Sequence, residues 1–157
     1  MEELLRYLLL VLLTYLGLAA GTVISNYSKE ELKPGRRYFL PLLSILLGLA
    51  ALFYLVEISV PFWIALITSL ITGYVSSLFR GFHNLPSYVL FAIMVYESLG
   101  SHYSPIICTL IFLYGTTYAS LRAEDLEDND FFQRLVAVHL ENIIYPFAAM
   151  VAFLIHP

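Results

Sequence analysis

The chain has 157 residues, of which 60% are hydrophobic and 13% charged. Soluble domains carry roughly 25% charged residues, so too little charge is present to coat a surface facing water, and a bilayer is the natural solvent. A formal net charge of −4 offers no basic surface to a nucleic acid, and the lone Cys108, set in "IICTLIFL", excludes an internal disulfide and any multi-cysteine metal site.

A bilayer core of ~30 Å takes about 20 helical residues. Six apolar runs meet or approach that length. The predicted fold is an all-α integral membrane protein, a bundle of six transmembrane helices joined by short loops in a single membrane domain spanning residues 1–157. The alternating segments of a transmembrane β-barrel are absent.

The first run is Leu4–Ser25. It follows "MEELLRY", whose two acids are unlike the basic start of a secretory signal, so it is expected to be a retained membrane helix. Gly17 and Gly21 stand in GxxxG spacing with Ser25 one step on, the small-residue pattern that lets helices approach closely in lipid. The next loop, 26–38, contains "SKEELKPGRR". Its Ser28-x-x-Glu31 has the spacing of a capping box for a short interfacial helix, which Lys33-Pro34-Gly35 should end. Lys33, Arg36 and Arg37 are then candidates for contact with a lipid headgroup or phosphate; their ordinary role would be anchoring to anionic lipid.

The second run, Phe39–Val56, carries Ser44 and Gly48. In the third, Pro61–Phe79, residues Ser69, Thr72, Gly73, Ser76 and Ser77 form one small polar stripe at helical spacing. That stripe is expected to face other helices, with Ile64, Ile67, Ile71 and Leu78 towards lipid. His83 and Asn84 fall in a tight turn in loop 80–86, where such a pair is usually turn chemistry. The fourth and fifth runs, Leu85–Ser101 and Pro105–Leu121, are short and joined by "GSHYSP". Short connections throughout predict that sequence neighbours pack as antiparallel pairs. Tyr7, Tyr54, Trp63 and Tyr103 lie where an aromatic belt is expected, and Glu57 and His102 read as interface residues. Three stretches, "GTVISNYSK", "GYVSSLFR" and "GTTYASLR", hint at three related helical hairpins, although any inward-running helix can end in small residues and a positive charge.

Loop 122–134 is acidic, with Glu124, Asp125, Glu127, Asp128 and Asp130. It reads as solvated, without the fixed spacing of a calcium-binding loop. No cofactor or metal is expected. The sixth run is Gln133–Ile155. Orientation follows from charge: Lys29, Lys33, Arg36, Arg37, Arg80, Arg122 and Arg134 are seven of the 8 basic residues, and all fall on one side of a six-span arrangement. The positive-inside rule then places loops 26–38, 80–86 and 122–134 in the cytoplasm and both termini outside, in a multi-pass protein of the cell membrane.

Candidate chemistry gathers in "HLENIIYPF", residues 139–147. Glu141 and Asn142 should lie roughly 12–14 Å along the sixth helix, near the membrane midplane. A charged carboxylate there costs at least ~2.5 kcal/mol, so it must face the interior, pair or take up a proton. Pro146 has no N–H, which frees the carbonyl of Asn142 from its helical partner. His139 and Asn142 share a face, whereas Glu141 is turned away from His139. Glu97 is the other carboxylate inside a run, and two readings of it stand equal: it lies at a depth similar to Glu141, the two holding one proton between them in a shared cavity, or, its span being short, it snorkels outward.

These features predict a small transporter-like or channel-like protein with a binding or proton-relay site at Glu97, His139, Glu141 and Asn142. A second expectation is a membrane enzyme acting on a lipid-linked or phosphorylated lipid at the cytoplasmic face, with Arg36 and Arg37 holding phosphate, the acidic loop holding Mg²⁺ and His139 or His83 as base. A third is a structural or partner-binding subunit without a site. Membrane lipids are the expected partners, with a homo-oligomer or a larger membrane complex.

Overall fold

A computed structural model describes residues 2–78, 84–126 and 128–155, with side chains at all of these but 29, 77, 78 and 84–86. Arg80, His83 and Glu127 fall outside it, as does the side chain of Asn84. The elements are α1 (Glu2–Tyr27), α2 (Lys29–Glu57), α3 (Phe62–Leu78), α4 (Asn84–Glu97), α5 (Ser104–Asp125), α6 (Phe131–Glu141) and α7 (Ile144–Ile155), with no strand among the described residues.

Four segments are long and apolar enough to cross a membrane: α1, α2 from Glu30, α5, and α6 with α7 taken together. The 17 residues of α3 and the 14 of α4 rise only about 26 and 21 Å, short of the ~30 Å hydrocarbon core. Outward faces are apolar. Leu5, Leu9 and Leu12 of α1 and Phe147, Met150 and Leu154 of α7 are exposed, and such a surface is suited to lipid rather than water.

Sequence neighbours are not the main packing partners, which corrects the antiparallel-pair expectation. α1 packs most extensively on α5, and α4 on α7; both pairs run parallel. Only α2 and α3 are chain neighbours that also pack closely, and α2 packs on α5 as well. A short connection fixes only where two helix ends meet. Close approach goes instead to helices whose small residues match, because burial against lipid supplies no drive of its own. A Cβ on Gly17 would stand 2.4 Å from the Phe112 carbonyl oxygen, and one on Gly21 2.2 Å from that of Thr116. Ser120 Oγ then donates to the Gly21 carbonyl at 3.0 Å. The face carrying Gly17 and Gly21 is thus covered by α5 of the same chain.

On α3, Ser69 and Gly73 are buried while Ile64, Ile67 and Ile71 are exposed. Gly73 lies against Ser44 and Gly48 of α2, and Ser76 Oγ donates to Ser44 Oγ at 3.4 Å.

Three local expectations fail. The short interfacial helix does not form, because α2 runs unbroken from Lys29 through Pro34 and Pro41. Ser28 makes no side-chain capping bond. Pro34 removes only one backbone bond near the helix start, and Arg36, two residues on, is held by Asp125 and Glu124 of α5. Glu124 and Asp125 themselves belong to the last turn of α5 rather than to an acidic loop. Tyr7 is also not a belt residue: it is fully buried, with its hydroxyl donating to the Ala149 carbonyl at 2.9 Å.

Candidate functional site

The run from Phe131 to Ile155 breaks near its middle, at Asn142 and Ile143. Pro146 explains why. In an unbroken helix its N–H would bond the Asn142 carbonyl, and it has none. In the third position of a new helix no N–H is needed, because first-turn donors lack helical partners anyway. The chain therefore ends α6, makes a tight turn and restarts as α7. That turn also corrects one expectation: the Asn142 carbonyl is not a free acceptor, since it takes the Tyr145 N–H at 3.1 Å. The Asn142 N–H closes the other side onto the His139 carbonyl at 3.2 Å.

Around the break lies a set of buried hydroxyls. Asn142 is fully buried; its Oδ1 accepts from the Tyr88 hydroxyl of α4 and its Nδ2 donates to the Val138 carbonyl. The Tyr145 hydroxyl and Thr14 Oγ1 of α1 share a hydrogen bond of 2.6 Å. Tyr15 of α1 donates to the His139 carbonyl at 2.8 Å, and its ring meets the His139 imidazole edge-on, centroids 5.2 Å apart. His139 Nδ1 lies 2.7 Å from the Leu135 carbonyl. Between these rings is a void of about 10 Å³ bordered by Thr14, Tyr88, Tyr114 and Tyr145, room for about one water molecule.

Glu141 faces away from this interior. Arg122 of α5 grips it in a bidentate pair, Nε to Oε2 at 2.8 Å and Nη2 to Oε1 at 2.6 Å. Both side chains are 35% exposed. Planar guanidinium and carboxylate match in two parallel bonds, the strongest form of such contact. Of the three routes open to a carboxylate within an apolar span, pairing is the one taken.

His139, Glu141 and Asn142 are thus gathered on one turn but divided among three surroundings. Glu97 is not brought to them. It borders a groove with Ile155, at the far end of α7, about 18 Å along the axis from the break. The two carboxylates share neither depth nor cavity. Lys33, Arg36 and Arg37 line an open cleft with Pro34 and Leu40. Within it Arg36 is tied to Asp125 at 2.6 Å, and the Arg37 guanidinium lies 4.7 Å above the Tyr38 ring. Arg36 sits at the polar end of α5 and His139 about 12 Å deeper along α6, so the phosphate-holding and basic groups expected of an enzyme do not converge. Among the described residues no three His, Cys, Asp or Glu side chains gather as metal ligands.

Sequence reasoning missed Arg122, Tyr88, Tyr145 and Thr14 as partners of the break. Nothing local marks Arg122, Tyr88 or Thr14, since each meets it from another helix; Tyr145 stands beside Pro146 on α7 itself, but its partner Thr14 is on α1. It also took Arg134 for a loop cation. Arg134 is 3% exposed and donates from Nη2 to Asn26 Oδ1 at 2.8 Å, while its Nε and Nη1 have no partner among the described residues.

Compared with protein-family models, with curated proteins and with solved structures, the chain matches none.

Proposed function

We propose that this is a small transporter-like membrane protein in a closed arrangement, with α7 as its moving part. All six apolar runs cross the bilayer, both termini lie outside, and the Lys/Arg-bearing loops are cytoplasmic. The turn at Asn142 and Ile143 is the hinge, and the Arg122–Glu141 pair is the latch on its cytoplasmic side. One observation carries the reading: a charged, bidentate pair beside a helix break half-way along an otherwise apolar span. Ionisable groups at such depth are costly and mark pathways or relays more often than scaffolding. Broken backbone there persists where protein or a cavity surrounds it.

The test is proton flux into vesicles holding the reconstituted protein and an entrapped pH dye, under an imposed potential. Glu141→Gln should raise or abolish the flux while the protein keeps its helix content and elution volume. Unchanged flux in that variant and in Arg122→Gln would remove the latch from the mechanism. A second reading is a structural subunit, and the near absence of free volume around the tyrosines favours it. It expects no flux in any variant and tight association with another membrane protein.

A further inference from the structure

α4 and α7 lie side by side and parallel, and rings meet between them at both ends: Tyr88 and Tyr145 with centroids 5.9 Å apart, Tyr96 and Phe153 with centroids 6.0 Å apart. Beside the second pair a groove of about 350 Å³ opens on the surface. Val89 and Ile93 form one wall, Ala148 and Ala152 the other, and Glu97 and Ile155 stand at its end. From Val89 to Glu97 the groove runs roughly 12 Å, the length of one medium alkyl chain.

Glu97 is exposed there, and among the described residues no cation lies within ion-pairing distance of it. Its neighbours are aromatic: Tyr96 also lines the groove, and Tyr54 is close enough to feel its charge. An apolar trough ended by an exposed carboxylate has the chemistry of ammonium recognition: the walls take the chain and the acid attracts the cation.

We propose that this groove binds an amphiphile with one alkyl chain and an ammonium head, the chain lying between Val89 and Ala148 and the head at Glu97. The chain itself gains nothing over surrounding lipid, which is as apolar as the groove. Selection therefore rests on the head: a sulfate head is repelled, a sugar head is indifferent, and an ammonium is held. The site is separate from the Arg122–Glu141 latch and needs no flux to be detected.

The test uses the full chain in uncharged maltoside micelles with a photoreactive dodecylammonium probe. Crosslinks should fall on α4 and α7, and dodecyltrimethylammonium should displace them where dodecyl sulfate does not. Glu97→Gln should weaken the competition about tenfold, and Ala152→Phe should abolish it by filling the trough with the charge still in place. Helix content and elution volume serve as the folding control for both variants. The proposal is overturned if Glu97→Gln competes as well as the native chain, if a neutral dodecyl ether displaces the probe equally, or if crosslinks fall elsewhere.

Discussion

The two ends of α7 face the same neighbouring helix and are built in opposite ways. At the Asn142 end the interior is closed by side chains whose polar atoms are answered: the Tyr88 hydroxyl by Asn142 Oδ1, the Tyr145 hydroxyl by Thr14, and Asn142 Nδ2 by the Val138 carbonyl. At the Glu97 end Tyr96 and Phe153 meet as well, but beside them a groove past Ala148 and Ala152 is filled by none of the described residues, and a carboxylate stands without a counter-ion among them. The contrast teaches how a chain with so little charge positions what it has. Tyrosine supplies bulk and one hydrogen bond together, so it can seal an interior that must also hold a broken backbone. Alanine supplies neither, so Ala148 and Ala152 leave the groove beside Glu97 unfilled.

The comparison breaks most readily at the latch. Arg122→Leu leaves Glu141 unpaired within the span, and we expect a loss of about 2 kcal/mol, below the 3–5 kcal/mol of a fully buried pair because both partners are partly exposed. Unfolding in mixed micelles measures it, and adding Glu141→Gln to that variant should restore most of the loss. Equal stability of the single and double variants would show that the pair contributes little. Next comes Asn142→Ala, expected to cost about 1–3 kcal/mol because the Tyr88 hydroxyl is left buried without its acceptor. Tyr88→Phe removes the donor instead and should cost less. A smaller effect follows from Thr14→Val, which deletes the partner of the Tyr145 hydroxyl; interhelical bonds of this kind average ~0.6 kcal/mol in lipid. The smallest belongs to the open end. Glu97→Gln should shift stability by no more than about 0.5 kcal/mol, since that carboxylate makes no ion pair among the described residues. A loss at Glu97 as large as at Asn142 would erase the distinction between the two ends.

Much of the architecture is legible without coordinates. Composition alone demands helices with apolar outer faces, and the placement of basic residues supplies an expected orientation. The small residues of α3 mark its inner face, and Pro146 marks a break. The partners of that break are not legible. Arg122 reads as the cationic end of a helix, and Tyr7 as an interfacial aromatic, because both judgements rest on position along the chain rather than on what lies across from it. The expectation that Glu97 and Glu141 share a depth fails for the same reason: depth counted along separate helices says nothing of the face each side chain takes.

What the sequence by itself determined is the solvent and the elements: too little charge for water, enough apolar length for helices in lipid, and a proline that cannot continue a helix without losing a bond. Only the tertiary structure decided which helices meet. In lipid, apolar burial does not choose partners. The choice falls to close contacts such as Gly17 and Gly21 against α5, and to single hydrogen bonds such as Tyr88 to Asn142. Both depend on two surfaces matching, and one chain read in order shows only one surface at a time.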